Sequence, residues 1–542
     1  MNQETLSPLW THLTSEGNMT GTWRAALPVY QDQPSPCLGA CPVNGKIAAW
    51  IGHVADGELR KAWEVLCDNN PFPAIAGRIC HHPCETACNR VQLDETVGIC
   101  SLERHVGDVA LAEGWSYTPG PDCGVSVAVI GGGPAGLSAA YQLRRAGIAV
   151  TLYEGQAELG GLMRFGIPSY RLSRAVLEGE IARIVKMGVD LRLRAEVPDI
   201  EVLESLAADF DAVFLATGAS LPKRLPGLDY SAGFVVESAR FLAAPEADQR
   251  AMTGNDILVI GGGSAAMDVA RTGRRLGRKV TVMTLEQEGH LPAQQVELDE
   301  AREEGVEFVT GAMLQQTELD RKTVTIRAVR VDFEHGPARG QFDITPVENS
   351  DFSLRANTII PAIGQDADLG RWAGLVKPIG PVLEPHAGQI WTGGDVASMD
   401  RFVTQAIGMG KEAAREIIAE LLPDAPLPVH MPGPEVDYGR INAAYHAEHG
   451  RTRQAGAPPA ERLQSFAEVQ QPLTHDQAKR EAERCFSCGT CIHCDNCYLY
   501  CPDMAINRLF PGYEVKTDYC KGCGLCVEEC PTGSIHMQED AP

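Results

Sequence analysis

The sequence predicts a multidomain α/β protein that ends in a small cysteine-rich α+β module. Three observations carry this expectation. Gly131 and Gly261 each open a glycine-rich turn directly after an apolar run and ahead of a helical pattern. Two cysteine runs of identical spacing follow each other near the C-terminus. Five further cysteines, Cys37, Cys41, Cys80, Cys84 and Cys88, precede the first glycine turn.

The chain has 542 residues, room for roughly three to four domains. A hydrophobic content of 44% supports several cores. The formal net charge of −24 disfavours nucleic acid and anionic membrane surfaces as partners, because both recruit Lys and Arg patches. The N-terminal stretch MNQETLSPLWTHLTSEG lacks a basic segment leading into an apolar core, and no apolar run reaches the ~18 residues of a spanning helix. Cysteines kept reduced for metal binding then set a cytoplasmic expectation. Residues 1–36 contain no motif.

The first glycine turn lies in VSVAVIGGGPAGLSAAYQLRRAGIAVTLYEG. Gly131, Gly133 and Gly136 fit G-x-G-x-x-G, and Glu154 ends the next strand, where a carboxylate accepts ribose hydroxyls. The glycines let the backbone turn tightly and approach a pyrophosphate at a helix N-terminus. The second turn, in NDILVIGGGSAAMDVARTGRRLGRKVTVMTLEQ, repeats Gly261 and Gly263 and places Ala266 where the third glycine stood, a substitution the motif permits. Asp268 reads as an ordinary polar helix residue. Two such units suggest one flavin site and one nicotinamide site. ATG at Ala216–Gly218 ends a further strand, and IWTGGDV sets Asp395 after an apolar strand, suited to a ribityl chain. The helix from Gln405 could aim its positive end at the flavin's pyrimidine edge.

Residues 424–480, rich in Pro, Ala and charge, read as a semi-rigid linker. Then C-x2-C-x2-C-x3-C-P occurs twice, as Cys491, Cys494, Cys497, Cys501 and as Cys520, Cys523, Cys526, Cys530. This is the spacing of a two-cluster 4Fe–4S ferredoxin, in which the last cysteine of each run serves the other cluster. Cys491, Cys494, Cys497 and Cys530 would hold one cluster, and Cys520, Cys523, Cys526 and Cys501 the other. Zinc knuckles would need only two C-x2-C pairs, and a disulfide scaffold would need a secreted chain.

With GGGPAGLSAAYQL, ELGGLMRFGIPSYRL, the GGGSAAMD turn, LPA and AREEGVEF, the chain resembles the glutamate synthase small subunit and its relatives from about Cys37 to about Leu422. Those relatives include the N-terminal half of dihydropyrimidine dehydrogenase and the large subunit of NADH-dependent ferredoxin:NADP oxidoreductase. The tail, CKGCGLCVEECPTGSI, resembles the delta-type subunit of 2-oxoacid:ferredoxin oxidoreductases. The resemblance implies a helical iron–sulfur domain (1–120), a discontinuous FAD domain (121–250 and 356–423) with Gly161 on its cofactor side, and an inserted NAD(H) domain (251–355). The ferredoxin-like α+β domain takes 481–542.

The resemblance also implies two N-terminal clusters. One would use Cys41, Cys80, Cys84 and Glu103, with Cys100 as the rival to Glu103, since thiolate binds iron more strongly than carboxylate. The other would use Cys37, Cys88 and an upstream C-x2-C pair that this chain lacks. Its surplus pair, Cys485 and Cys488, sits instead ahead of the ferredoxin runs in LTHDQAKREAERCFSCG. Either this pair returns to complete the cluster, or that cluster is lost. Setting aside Cys67, Cys100 and Cys123, the remaining fifteen cysteines and Glu103 make sixteen donors, enough for four cubes, so three to four clusters are expected.

NADPH-using relatives end the second dinucleotide strand in Tyr-Arg-Arg, whose guanidiniums fork the 2′-phosphate. Thr284, Leu285 and Glu286 stand there instead. A carboxylate in that place repels the phosphate and favours NAD(H) over NADP(H), unless Arg271 or Arg274 from the helix serves. The resulting expectation is an FAD and iron–sulfur oxidoreductase subunit exchanging hydride with NAD(H) and single electrons with a protein partner or larger complex. A 2-oxoacid:ferredoxin oxidoreductase is the favoured candidate partner. Alternatives are a reductase subunit serving a partner such as a dissimilatory sulfite reductase, a glutamate synthase small subunit, or an electron-transfer scaffold with a dead flavin site. No acid–base side chain is expected to be catalytic, because the cofactors carry the chemistry.

Overall fold

The computed structural model describes residues 19–321, 323–336, 341–372, 378–379, 382–425, 433–509 and 511–539. Helices Ile47–Ala55, Leu59–Cys67, Pro73–Ile79 and Ile99–Ala112 form the N-terminal domain. They bury Trp50, Trp63, Leu66, Leu102 and Val106. The cysteines occupy the joints. Cys41 and Cys80 end short helices that open on proline at their first or second residue, and Cys88 leads into a 3-10 turn. All three have extended backbone, which frees their side chains from helix packing.

The first glycine turn belongs to a six-stranded sheet in the order His386–Ala387, Ile390–Thr392, Ala212–Leu215, Ser126–Ile130, Ala149–Glu154, Asp190–Leu193. Its strands are parallel apart from the edge hairpin. Parallel central strands covered on both faces must be apolar throughout, and Val127–Ile130 and Ala212–Leu215 are buried without interruption. Helices Pro134–Arg145 and Val403–Leu421 cross closely on one face. A Cβ on Gly410 would overlap the Ala135 carbonyl, so that crossing requires glycine.

The second turn heads a parallel sheet in the order Thr358–Pro361, Asp256–Ile260, Lys279–Met283, Glu307–Val309. Strand Thr358–Pro361 pairs with Asp256–Ile260, so the inserted domain runs past position 355. The chain returns to the first domain near Gln365–Asp366, which pairs with Leu221–Pro222. Buried ion pairs clamp the two domains. Arg171 meets Asp268 at 2.7 Å and Glu297 at 2.5 Å, and the Arg275 guanidinium stacks 3.8 Å from the Tyr170 ring centre.

Two expectations about the ends need correction. The segment read as a linker packs across three domains wherever it is described. Glu468 accepts from Arg78 (2.7 Å) and Arg104 (3.0 Å) of the N-terminal domain and from the Ser173 backbone N–H (2.9 Å) of the first dinucleotide domain. Arg462 reaches Glu303 at 2.7 Å in the second. Prolines and charges gave the segment its linker composition, but those charges are consumed in specific pairs. The ferredoxin-like domain, in turn, does not start at 481. Its last strand, Ile535–Glu539, pairs antiparallel with Ala26–Tyr30, so the motif-free N-terminal stretch supplies one strand of the C-terminal module. Residues 1–18 and 540–542 lie outside the described residues.

Candidate functional site

In the first glycine turn Gly131 takes φ +109°, a left-handed value that favours glycine. A Cβ on Gly136 would overlap the Gly131 carbonyl, so strand and helix meet only through glycine. Gly133 caps the helix that follows. Glu154 closes the site by accepting from the Gly132 backbone N–H at 2.8 Å. The ELGG loop lies over this turn, with Gly160 N–H donating to the Gly132 carbonyl at 2.8 Å and Gly161 at φ +51°. Asp395 is half-buried in the turn after Ile390–Thr392. Gln405 falls in the first turn of helix Val403–Leu421, which begins two residues earlier than expected. Backbone N–H groups, the Glu154 carboxylate and a helix N-terminus thus converge, and the donor set fits a flavin dinucleotide.

The second turn repeats the first in detail. Gly261 takes φ +132°, Gly263 caps the helix, and Ala266 is fully buried. A Cβ built on Gly262 would stand 2.9 Å from Glu286 Oε2, and one on Gly132 would stand 3.0 Å from Glu154 Oε2. The two carboxylates therefore hold matching positions over matching turns. Glu286 also accepts from the Thr284 hydroxyl. The helix arginines are engaged elsewhere. Arg271 and Arg275 bond Glu304 at 2.8 and 2.6 Å, and Arg274 bonds the Glu304 and Arg278 carbonyls at 2.8 and 2.6 Å.

The thiols gather in four places. Cys37, Cys88, Cys485 and Cys488 line one cavity with Ile47, Ile51 and Phe486. Burial pushes the Cys37 thiol well up, with the Cys485, Cys488 and Cys88 thiols adding to the effect. Burial first, then the neighbouring thiols, pushes Cys485 up to about 12 and Cys488 up to about 11. Four thiolates crowded in an apolar cavity need a cation to ionise together, so this donor set fits an iron–sulfur cluster. Ser35 lies 3.1 Å from the Cys37 sulfur, and Asn89 donates to Cys488 at 3.6 Å. Arg90 and Arg484 fasten the returning segment here: Arg90 bonds the Arg484 carbonyl at 2.9 Å, and both pair with Asp94.

Cys41, Cys80, Cys84 and Glu103 also meet, together with Cys100. Burial, then Cys80, pushes the Glu103 carboxyl up to about 8, although Asn70 donates to it at 2.7 Å. His81, beside this group, stacks on Phe402 with ring centres 4.0 Å apart, at the N-cap of helix Val403–Leu421.

In the tail, Cys501, Cys520, Cys523 and Cys526 line one cavity with Pro28. Cys491 lies among Cys494, Cys497 and Cys530. The crossed arrangement expected from the spacing is thereby brought together in space. Hydrogen bonds from Ser534 and Thr532 hold the Cys530 thiol below its ordinary value against the effect of burial. Sequence reasoning missed Asn70, Asn89, Ser35 and Tyr30, the last with its buried hydroxyl facing Cys497. None carries a motif, and each reaches its site only through folding. No helix among the described residues is long and apolar enough to cross a membrane.

Comparison with known proteins gives three family matches: pyridine nucleotide-disulphide oxidoreductase over residues 125–410, dihydropyrimidine dehydrogenase domain II, 4Fe-4S cluster, over 24–115, and 4Fe-4S binding domain over 513–536. The chain is 33% identical over 507 residues to the NADP(+)-dependent formate dehydrogenase subunit beta of Moorella thermoacetica, covering 84% of this chain and 70% of that protein. It is 31% identical over 516 residues to the NADPH-Fe(3+) oxidoreductase subunit beta of Geobacter sulfurreducens, covering 84% and 75%. It is 34% identical over 392 residues to the NAD-dependent dihydropyrimidine dehydrogenase subunit PreT of Escherichia coli (strain K12), covering 71% and 90%.

Proposed function

We propose a defined role for this chain, which belongs to the pyridine nucleotide-disulphide oxidoreductase family, in its iron–sulfur-containing, glutamate synthase small subunit-like branch. It is an oxidoreductase, and the role is that of an NADH-preferring electron-splitting subunit serving a protein partner. FAD, when bound, supplies two-electron exchange with nicotinamide and one-electron exchange with clusters. The chain's own residues set the rest. Gly131, Gly133, Gly136, Gly161, Glu154, Asp395 and Gln405 would hold the flavin dinucleotide. Gly261, Gly263, Ala266 and Glu286 would hold NAD(H).

Four clusters would follow. Two sit in the tail, on Cys491, Cys494, Cys497 and Cys530 and on Cys520, Cys523, Cys526 and Cys501. One sits on Cys41, Cys80 and Cys84 with a donor from helix Ile99–Ala112. The fourth sits on Cys37, Cys88, Cys485 and Cys488. The observation that carries this reading is the cavity those last four thiols share, because it joins thiols of the N-terminal domain to thiols of the segment that leads into the ferredoxin runs and would give electrons a station at that junction. The partner is an electron-transfer protein or larger oxidoreductase. A 2-oxoacid:ferredoxin oxidoreductase is favoured on the likeness of the tail.

The first two relatives are named for NADP(H), which favours a second reading. Against it stand Glu286, which matches the ribose-binding Glu154, and the engagement of Arg271, Arg274 and Arg275 with Glu304 and backbone carbonyls. Cofactor analysis tests the whole reading. Anaerobically purified protein should carry one FAD and about sixteen irons, four per cubane, and NADH should bleach the flavin with far higher kcat/KM than NADPH. About twelve irons would mean a lost cluster, and equal use of both nucleotides would refute the NADH preference.

A further inference from the structure

We propose that Cys100, and not Glu103, is the fourth ligand of the cluster begun by Cys41, Cys80 and Cys84. This rests on the reading above that the site holds a 4Fe–4S cluster. Cys100 and Glu103 both face the three thiols and a cubane has four iron corners, so one of the two must stand aside; Glu85 and His82, also close to Cys100, are engaged with Arg451 and with each other. Cys100 and Glu103 lie three residues apart on helix Ile99–Ala112, hence on one face of it, and both reach the same thiols.

Three observations separate them. The Cys100 thiol neighbours both the Cys80 and the Cys84 thiol, and the residue is 3% exposed. Its backbone is fixed beside them: Cys100 N–H donates to Glu85 Oε1 at 2.9 Å, and Arg451 holds the other Glu85 oxygen at 2.6 Å. Glu103 has a partner of its own. Its Oε1 accepts from Asn70 Nδ2 at 2.7 Å, while Asn70 Oδ1 accepts from the Phe72 N–H at 3.0 Å. That second bond fixes the amide so that its nitrogen faces Glu103. Asn70 is itself buried, so Glu103 can offer iron only its other oxygen, Oε2, without stranding a buried donor. Thiolate is also the softer ligand, suited to iron–sulfur clusters.

The assignment also accounts for the cysteines. Sixteen of the eighteen then serve four clusters. The remaining two are Cys67, 3.6 Å from the Tyr117 hydroxyl, and Cys123, which is exposed.

The test uses the full chain, purified anaerobically as Cys100→Ala, Cys100→Ser and Glu103→Ala, and read by iron analysis and electron paramagnetic resonance. Cys100→Ala should lose about one iron per chain, the corner without a ligand, and show the near-isotropic signal of an oxidised three-iron cluster. Cys100→Ser should shift the resonance of this cluster alone. Glu103→Ala, which removes every side-chain donor there, should keep both the iron number and the spectrum. Iron loss in Glu103→Ala overturns the proposal even where Cys100→Ala fails to fold. Sixteen irons with unaltered Cys100 variants overturns the ligand assignment only. Wild-type protein about four irons short, with no signal from this site, overturns the cluster reading beneath it.

Discussion

The ferredoxin tail and the cavity at Cys37, Cys88, Cys485 and Cys488 offer the same chemistry, four thiols for one cube, yet they are encoded differently. In the tail each cluster draws three donors from one short run and one from its neighbour, so spacing along the chain nearly fixes the site. The other cavity takes two donors from the first ninety or so positions and two from beyond position 480. Its geometry depends on a scaffold: Arg90 and Arg484 against Asp94, with the Arg90 guanidinium 4.9 Å from the Phe486 ring centre. A locally encoded site should survive damage elsewhere. A site shared by both ends should not.

Removing the returning pair tests that contrast most severely. Cys485→Ser with Cys488→Ser should cost about four irons per chain, one cubane's complement, and leave both ferredoxin clusters and the flavin in place. NADH should still bleach the flavin, while reduction of an external acceptor slows sharply. Full iron and full acceptor reduction in this mutant would make the pair structural and the wiring wrong.

Breaking the scaffold should act at one remove. Arg484 is 2% exposed and pairs with Asp94 at 2.9 Å and Glu481 at 2.6 Å. Arg484→Ala leaves the buried Glu481 without its charged partner and the half-buried Asp94 with Arg90 alone, a loss of about 3 kcal/mol, the low end for buried pairs, measurable by denaturant unfolding. Iron should be lost from the shared site before the tail. Equal loss from both would erase the distinction drawn here.

The two glycine turns form a subtler pair, matched in backbone and in the position of Glu154 and Glu286. Leu285→Arg with Glu286→Arg should shift nucleotide preference toward NADPH by roughly 1–3 kcal/mol, the range for charged hydrogen bonds. Unchanged kcat/KM ratios would place selectivity elsewhere. The smallest effect is expected within the tail. Tyr30→Phe removes a buried hydroxyl that lies near Cys497 without a hydrogen-bond partner of its own and should lower that cluster's potential by about 40 mV, the worth of one hydrogen bond of about 1 kcal/mol that the hydroxyl would give a cluster sulfur. No shift in a redox titration would mean that the hydroxyl does not reach the sulfur.

The parts legible in the sequence are those in which a few neighbouring residues carry the geometry. Gly131, Gly136 and Gly261 announce turns because other side chains clash there. Glu154 announces itself by closing a strand. The reading failed where meaning depended on distant company. Ala26–Tyr30 carries no motif, yet it completes the sheet of a module some five hundred residues away. Segment 424–480 has the composition of a linker, but in its described part Glu468 and Arg462 are committed to partners in three domains. Strand Thr358–Pro361 fell on the wrong side of a boundary because a buried parallel strand looks alike in either sheet.

By itself the sequence determined the two dinucleotide turns, the crossed ferredoxin runs and the family, since each is written in contiguous residues whose spacing sets backbone geometry. Tertiary structure alone decided what surrounds them. It brought Cys485 and Cys488 to Cys37 and Cys88, and it engaged Arg271 and Arg274 with Glu304. It also left Cys100 and Glu103 as rival donors beside Cys41, Cys80 and Cys84. The physical reason is reach. Spacing constrains side chains within a turn or two, whereas the company of a buried charge or thiol is fixed by packing between segments hundreds of residues apart.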